Sequence, residues 1–364
     1  MIDPRDALAL SVWAEAPRRR LASLLQALAA GAPATPLTGP PSLEELIAWM
    51  DGSLDVSALA RSLRADADRA LARADRGGIR PIAWGSDEYP PLLAAIPDPP
   101  VVLWLRGDSA ALSMTAIAIV GSRAASHYGL EAATEIAHDL AAAGVVVVSG
   151  MARGVDGAAH RGALAAGGRT VAVLGCGTDI AYPPEHADLA DEIAGRGALV
   201  SEYPPGTIPQ AFFFPVRNRI ISGLARGVLV VEAADRSGSL ITAAAALEQG
   251  REVMAVPGSV LTDRHHGAHA LIRDGATLIT GVEDVLASLG RLPLGGDPRA
   301  SADGPTGDPV LDALPIGESC PLDAIAARTG LQPAVLLARL LGLEVAGVVR
   351  RAQGGLFVRP GRSC

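Results

Sequence analysis

The sequence predicts an α/β chain: a doubly wound, mostly parallel sheet with a helical segment before it and a winged-helix-like unit after it. Three observations carry that prediction. Between residues 112 and 290, short β-branched runs alternate with helical patterns, as expected of strands buried on both faces. Glycines and other small residues follow the runs, where an open parallel sheet presents its ligand-facing turns. The texture then changes to Gly, Pro and Asp at 291–309, the composition of a linker.

Taken in order, residues 1 to about 75 are expected to form an N-terminal helical domain. Leu21, Leu24, Leu25 and Leu28 recur at helical spacing. A Pro/Gly-rich gap, GAPATPLTGPP, fills 31–41, after which Ser42 and Glu45 have the spacing of a capping box. Leu54 to Ala74 makes a further helix. Ile79 to Gly107 is rich in proline with two short β-prone runs, a lead-in strand pair opening a domain over 76–290. Its strands are IAIVG (117–121), VVVVSG (145–150), TVAVLG (170–175), ALVSE (198–202), GVLVVEA (227–233), EVMAVPG (252–258) and ATLIT (276–280). Helices are expected over Ser126–Ala143 and Val155–Ala166, and near 184–195, 217–225, 239–249 and 265–274. After the 291–309 linker, 310–364 should hold helices near 310–314, 321–329 and 333–344, then a hairpin of GVVRR and GLFVR joined around AQGG. Pro321 and Pro333 suit first helical turns.

Composition excludes several chemistries. The 364 residues carry a net charge of −8, and every one of the 31 basic residues is arginine. Without lysine, neither a Walker A phosphate loop nor a Schiff-base enzyme is possible. Cys176, Cys320 and Cys364 are far apart, which fits neither a zinc site nor a disulfide framework and suggests a reducing cytoplasm. No signal-like start or membrane-length apolar run is present.

The turns after the strands locate the chemistry. They read Gly121-Ser122-Arg123, Ser149-Gly150-Met151-Ala152-Arg153-Gly154, Gly175-Cys176-Gly177, then Tyr203 and the stretch FFFPVRNRIISGL, then Arg236-Ser237-Gly238-Ser239-Leu240-Ile241-Thr242. Small residues there allow close backbone approach, and helix starts favour anions. Arg123, Arg153, Arg217, Arg219 and Arg236 share this edge, while Glu202 to Glu232 encloses three arginines and no acid. A phosphate-bearing ligand is the simplest reading. Phe212, Phe213 and Phe214, three of the chain's four phenylalanines, could offer a base a stacking surface. Equally, they could be core, with Arg219 paired to an acid. A GxGxxG fingerprint is missing after the first strand, so no redox cofactor is expected. Asp156 and His160 lie one helical turn apart, and His265, His266 and His269 cluster. We read the first as a helix-start carboxylate beside a structural histidine and the second as no metal site.

Taken together, GSR, SGMARGVDGAAHRGAL, VLGCGTDIAYPPEH, SEYPPGTIPQ, FPVRNRIISGLA, VVEAADRSGSLITA and VPG resemble the DNA processing protein A (Smf) family over about 105–280. The resemblance implies a Rossmann-like domain that binds single-stranded DNA without sequence preference, forms a homodimer and loads the recombinase RecA in natural transformation. It implies no catalytic residues. DNA contacts are expected from Gly121, Ser122 and Arg123, from Ser149, Gly150, Met151, Ala152, Arg153 and Gly154, and from Phe214, Arg217, Asn218 and Arg219. Ser237, Gly238 and Thr242 complete the expected set. The N-terminal helices resemble the family's SAM or helix-hairpin type. The last helix of the winged-helix-like unit, PAVLLARLLGLE, has only Arg339 as a basic residue, so it is expected to pack or interact rather than read duplex DNA. The competing function is a Rossmann-like nucleotide phosphoribohydrolase, suggested by SGSLITAAAALEQG, or a nucleotide-sensing protein.

Overall fold

Alternation along each strand builds the sheet. A computed structural model describes residues 2–13, 16–29, 41–290, 308–314, 319–345, 348–351 and 356–358. The expected gap at 31–40, most of the 291–309 linker, the AQGG turn and Arg359 lie outside the described residues. The chain divides into two compact units, 1–293 and 294–364.

The first unit opens with α1 (Pro4–Ser11), α2 (Arg18–Ala29), α3 (Leu43–Met50) and α4 (Val56–Arg76). Ser42 and Glu45 form the expected reciprocal capping box on α3. The lead-in segment supplies β1 (Ile79–Ala83), the short α5 (Pro91–Ala94) and β2 (Val102–Gly107), with β1 and β2 paired antiparallel. The alternating region follows as β3 (Ala116–Val120), α6 (His127–Ala142), β4 (Val146–Ser149), α7 (Val155–Ala165), β5 (Thr170–Val173), α8 (Ala187–Arg196) and β6 (Ala198–Ser201). Its second half is α9 (Phe213–Gly223), β7 (Gly227–Val230), α10 (Ser239–Glu248), β8 (Glu252–Ala255), α11 (His266–Arg273), β9 (Thr277–Leu278) and α12 (Val282–Ser288).

These strands form one sheet in the order β1-β2-β6-β5-β4-β3-β7-β8-β9. Every pairing from β6 to β9 is parallel, and β2 joins β6 antiparallel. Within β3, Ala116, Ala118 and Val120 serve one apolar cluster while Ile117 and Ile119 serve the other, the period-two alternation of a strand covered on both faces. The first cluster also takes Leu8, Leu24, Leu43 and Ile47 from the N-terminal helices. Those helices are therefore anchored in the same core as the sheet.

Two local expectations are corrected. The helix expected near 217–225 begins at Phe213, and Pro215 lies in its first turn. A first-turn proline costs nothing there, because its missing N–H would have had no intrahelical partner. In the second unit, α13 (Pro309–Asp312), β10 (Ser319–Pro321), α14 (Leu322–Thr329), α15 (Pro333–Val345), β11 (Arg350–Arg351) and β12 (Leu356–Val358) form a winged-helix arrangement. Pro321 closes β10 and caps α14 instead of sitting inside a first turn. β10 adds a third strand to the hairpin, pairing Cys320 with Phe357. Among the described residues no helix is long and apolar enough to cross a membrane.

Trp104, on β2, is fully buried in the first apolar cluster, shared by the N-terminal helices, the lead-in and the main sheet. Trp104→Ala should destabilise the first unit by about 3–5 kcal/mol. Urea unfolding followed by circular dichroism checks this, and an unchanged midpoint would contradict the packing described.

Candidate functional site

The winding reverses between β3 and β7: β4, β5 and β6 lie to one side of β3, and β7, β8 and β9 to the other. At such a switch point the turns leave in opposite directions and a crevice opens beyond the carboxyl ends of the strands. A cleft of about 680 Å³ lies there. Gly121, Ser122 and Arg123 line it from the end of β3, and Arg236, Ser237, Gly238 and Thr242 from the start of α10. Phe214, Arg217 and Asn218 line it from α9, with Ala152 and Asp156 at the floor.

An aromatic platform forms one wall. Phe214 stacks on Tyr182, with ring centroids 5.3 Å apart and planes inclined by 28°. The Arg123 guanidinium sits over the Phe214 ring at 5.5 Å, within cation–π range. Arg123 and Arg236 are exposed, and among the described residues neither takes part in an ion pair. Ser237 Oγ lies 2.7 Å from Ser239 Oγ, and Asn218 Nδ2 donates to the Gly238 carbonyl at 3.3 Å, tying α9 to the start of α10. The cleft thus offers two guanidinium groups without an ion pair among the described residues, one of them over a stacked ring pair.

The expected residues divide into those that reach the cleft and those that support it. Ser149 is buried and donates to the Ile119 carbonyl at 2.6 Å, bracing β4 against β3. Met151 is buried with φ +63°, a left-handed conformation uncommon outside glycine. Gly154 has φ +74°, and a Cβ there would lie 2.2 Å from the Ser122 carbonyl oxygen, so only glycine fits. Arg153 is exposed and bonded to Glu185 rather than lining the cleft.

The two arginines of FPVRNR part company. Arg217 is 3% exposed and donates through Nη1 to the carbonyls of Gly150, at 2.7 Å, and Val173. Burial pushes its guanidinium pKa down to about 10, with Arg123 acting the same way against Asp156. Burial in turn raises the Asp156 carboxyl, while Arg217 and the Ala152 N–H, 3.2 Å from Oδ2, pull it back. Arg219 lies outside the cleft, in a bidentate pair with Glu202 at 3.0 and 2.9 Å and a further bond to Asp98 at 2.9 Å. Burial opposes its charge, but those two carboxylates outweigh it and raise its pKa. The acid-poor interval therefore leaves Arg219 neutralised by its own boundary residue and by the lead-in segment. The three phenylalanines also separate. Phe212 is exposed, Phe213 packs on Tyr203 at 4.1 Å, and Phe214 faces the cleft.

Tyr182 and Ile241 belong to the cleft wall but carried no role in the sequence reading. The position of Tyr182 after the third parallel strand was the available signal. Asp156 and His160 do not form an acid–base pair: His160 is buried, with Nδ1 2.7 Å from Thr170 Oγ1. Burial holds its pKa at about 3, with His186, Arg161 and Arg217 adding to the effect. His265 and His269 stack with centroids 6.1 Å apart, and among the described residues no group of three or more His, Cys, Asp or Glu gathers as a metal site.

Comparisons with known proteins place this geometry. Residues 80–290 match the family described as DNA recombination-mediator protein A, and residues 296–355 match the DprA winged helix domain. Protein Smf of Escherichia coli (strain K12) is 45% identical over 288 residues, covering 77% of this chain and 77% of that protein. DNA processing protein A from Streptococcus pneumoniae superposes with a TM-score of 0.66 at 36% identity, over 79% of this chain and 98% of that one. DNA processing protein A from Helicobacter pylori, described for its single-stranded DNA binding mode, superposes with a TM-score of 0.53 at 28% identity, over 58% of this chain and 96% of that one.

The neutral His160 has a consequence for stability. Its folded pKa of about 3 lies below the ordinary value of about 6.5. As pH falls from about 6.5 toward 3, the unfolded chain takes up a proton that the folded chain refuses, and this group removes about 1.4 kcal/mol of stability per pH unit. His160→Gln should flatten the pH dependence of the urea-unfolding free energy between pH 6 and 4. Equal slopes in the two proteins would contradict the burial argument.

Proposed function

The chain belongs to the DNA recombination-mediator protein A family, and from that premise we propose that it binds single-stranded DNA without sequence preference in the switch-point cleft. We further propose that it acts in the cytoplasm as a homodimer and hands the strand to a RecA-type recombinase during natural transformation, without catalysing a reaction itself. The observation that supports the binding step is the pairing of two arginines without an ion pair among the described residues, Arg123 and Arg236, with the Phe214–Tyr182 stack. Phosphates suit the first and bases the second. A base stacked on an aromatic ring contributes about 1–3 kcal/mol whatever its identity, which is why such a site tolerates any sequence. Gly121, Ser122, Ala152, Asn218, Ser237, Gly238 and Thr242 supply the remaining polar and close-approach surface. Within this reading the chain works as four segments: a helical domain at 1–75, the DNA-binding domain at 76–290, a linker at 291–309 and the winged-helix unit at 310–364. The last serves packing or protein contact, since Arg339, the one basic residue of α15, is bonded to Asp308 at 3.0 Å.

Fluorescence anisotropy with a labelled oligothymidine across a salt series tests the proposal. The logarithm of affinity should fall linearly with that of salt, and Arg123→Ala should make the slope shallower by about 0.7, the loss of one neutralised phosphate. Tighter binding of duplex than of single strand, or tight capture of a free nucleoside monophosphate with no strand affinity, would overturn it. The second outcome would favour a nucleotide enzyme or sensor.

A further inference from the structure

Arg217 and Asp156 line the floor of the cleft, and both would ordinarily be assigned to the ligand. Their bonds point elsewhere. Arg217 joins the carbonyl ends of two adjacent strands, Gly150 after β4 and Val173 in β5, from a position on α9. Asp156 accepts from the Ala152 N–H, across the turn that contains the left-handed Met151. A Cβ on Gly150 would lie 2.7 Å from both Arg217 Nη2 and Asp156 Oδ2, so the two side chains close on Gly150 from the same side. The same loop ends at Gly154, whose α-carbon is pressed against the backbone of Ser122 and Arg123. Val155 N–H donates to the Ser122 carbonyl at 3.2 Å. Arg123 then reaches back over Phe214, which lies on α9 three residues before Arg217. The contacts form a closed circuit: α9, the β4 turn, the start of α7, the β3 turn and α9 again.

We propose that Arg217 and Asp156 are positioning residues that fix this circuit, setting the Arg123–Phe214 spacing without themselves contacting the strand. The inference rests on the reading of the cleft as a single-strand site. A guanidinium suits the task because the two N–H bonds of Nη1 are held in one plane and meet the two carbonyls at fixed angles, whereas an ammonium is a point charge on a flexible stem. The left-handed turn at Met151 is held only because its surroundings over-determine it, and the bond from Ala152 N–H to Asp156 is one of those constraints. Sequence motif and cleft lining both make Arg217 look like a phosphate ligand. Its two carbonyl partners and near-complete burial make it a strut.

The experiment compares the full-length protein with Arg217→Lys, Arg217→Met and Arg123→Ala, titrating labelled oligothymidine across a salt series. A phosphate ligand replaced by lysine keeps its charge, so affinity and salt slope would both stay near wild type. A strut replaced by lysine loses its geometry. Arg217→Lys and Arg217→Met should therefore each weaken binding at least tenfold at fixed salt, with the wild-type slope retained, while Arg123→Ala lowers the slope by about 0.7. Asp156→Asn, which keeps an acceptor of the same shape, should bind far better than Asp156→Ala. Wild-type affinity in Arg217→Lys, or a slope reduced in Arg217→Met as in Arg123→Ala, overturns the assignment while leaving the cleft as the strand site. A wild-type protein without single-strand affinity overturns the parent reading, and this inference with it.

Discussion

A guanidinium with no access to water must be satisfied by whatever surrounds it, and in this chain that requirement falls on Arg217. Removing such a charge from water is tolerated only where fixed dipoles replace the solvent. The carbonyls of Gly150 and Val173 do so, and both sit at the ends of adjacent strands that the ladder and the Ser149 brace also hold. The side chain thus converts a cost of burial into a specification of geometry. The β4 and β5 ends, the second turn of α9 and the floor of the cleft share one set of bonds. The switch point opens the crevice, and this group lies among the residues that line it.

Arg217 and Arg219 show why such a role escapes sequence reading. Two residues apart on a helix, they project about 200° apart around its axis, so one enters the sheet edge and the other turns to Glu202 and Asp98. Both sit in one basic motif, and a count of charges gives both to the ligand. Their fates depend on where α9 begins and how it is rotated, and that in turn depends on Phe213 meeting Tyr203 and on Gly175 making room for Phe214. The acids that neutralise Arg219 come from the end of β6 and from residue 98 of the lead-in, contacts that only the tertiary fold creates.

The parallel sheet was legible for the opposite reason. Runs such as VVVVSG and GVLVVEA are buried on both faces, so their composition alone marks them. The turns after them carry the cleft because of where strands end, not because of any motif. Three features were hidden. The start of α9 at Phe213 was one, because Pro215 lies in its first turn and proline signals turns as readily as helix starts. β10 is three residues long, too short for any periodicity, and exists only through its pairing with β12. What the N-terminal helices pack against was the third: each is amphipathic, and amphipathicity does not say whether the apolar stripe meets another helix or, as Leu8, Leu24, Leu43 and Ile47 do, the cluster under a sheet.

The charge arrangement around the cleft reaches further than its contacts. The chain is acidic overall, and arginines such as Arg73, Arg106, Arg169 and Arg219 are each matched to a carboxylate. Arg123 and Arg236 stand apart at one edge. To an approaching polyanion an acidic body is repulsive, and a cleft edged by guanidinium groups without ion pairs among the described residues is an opening in that surface. A double helix carries one charge per roughly 1.7 Å of its axis and is stiff, so it meets that repulsion over a broad front. A thin, bendable strand can present a few phosphates to the opening and keep the rest away. Discrimination between the two would then arise largely from what the surface excludes, and would persist even where the contacts inside the cleft could serve either.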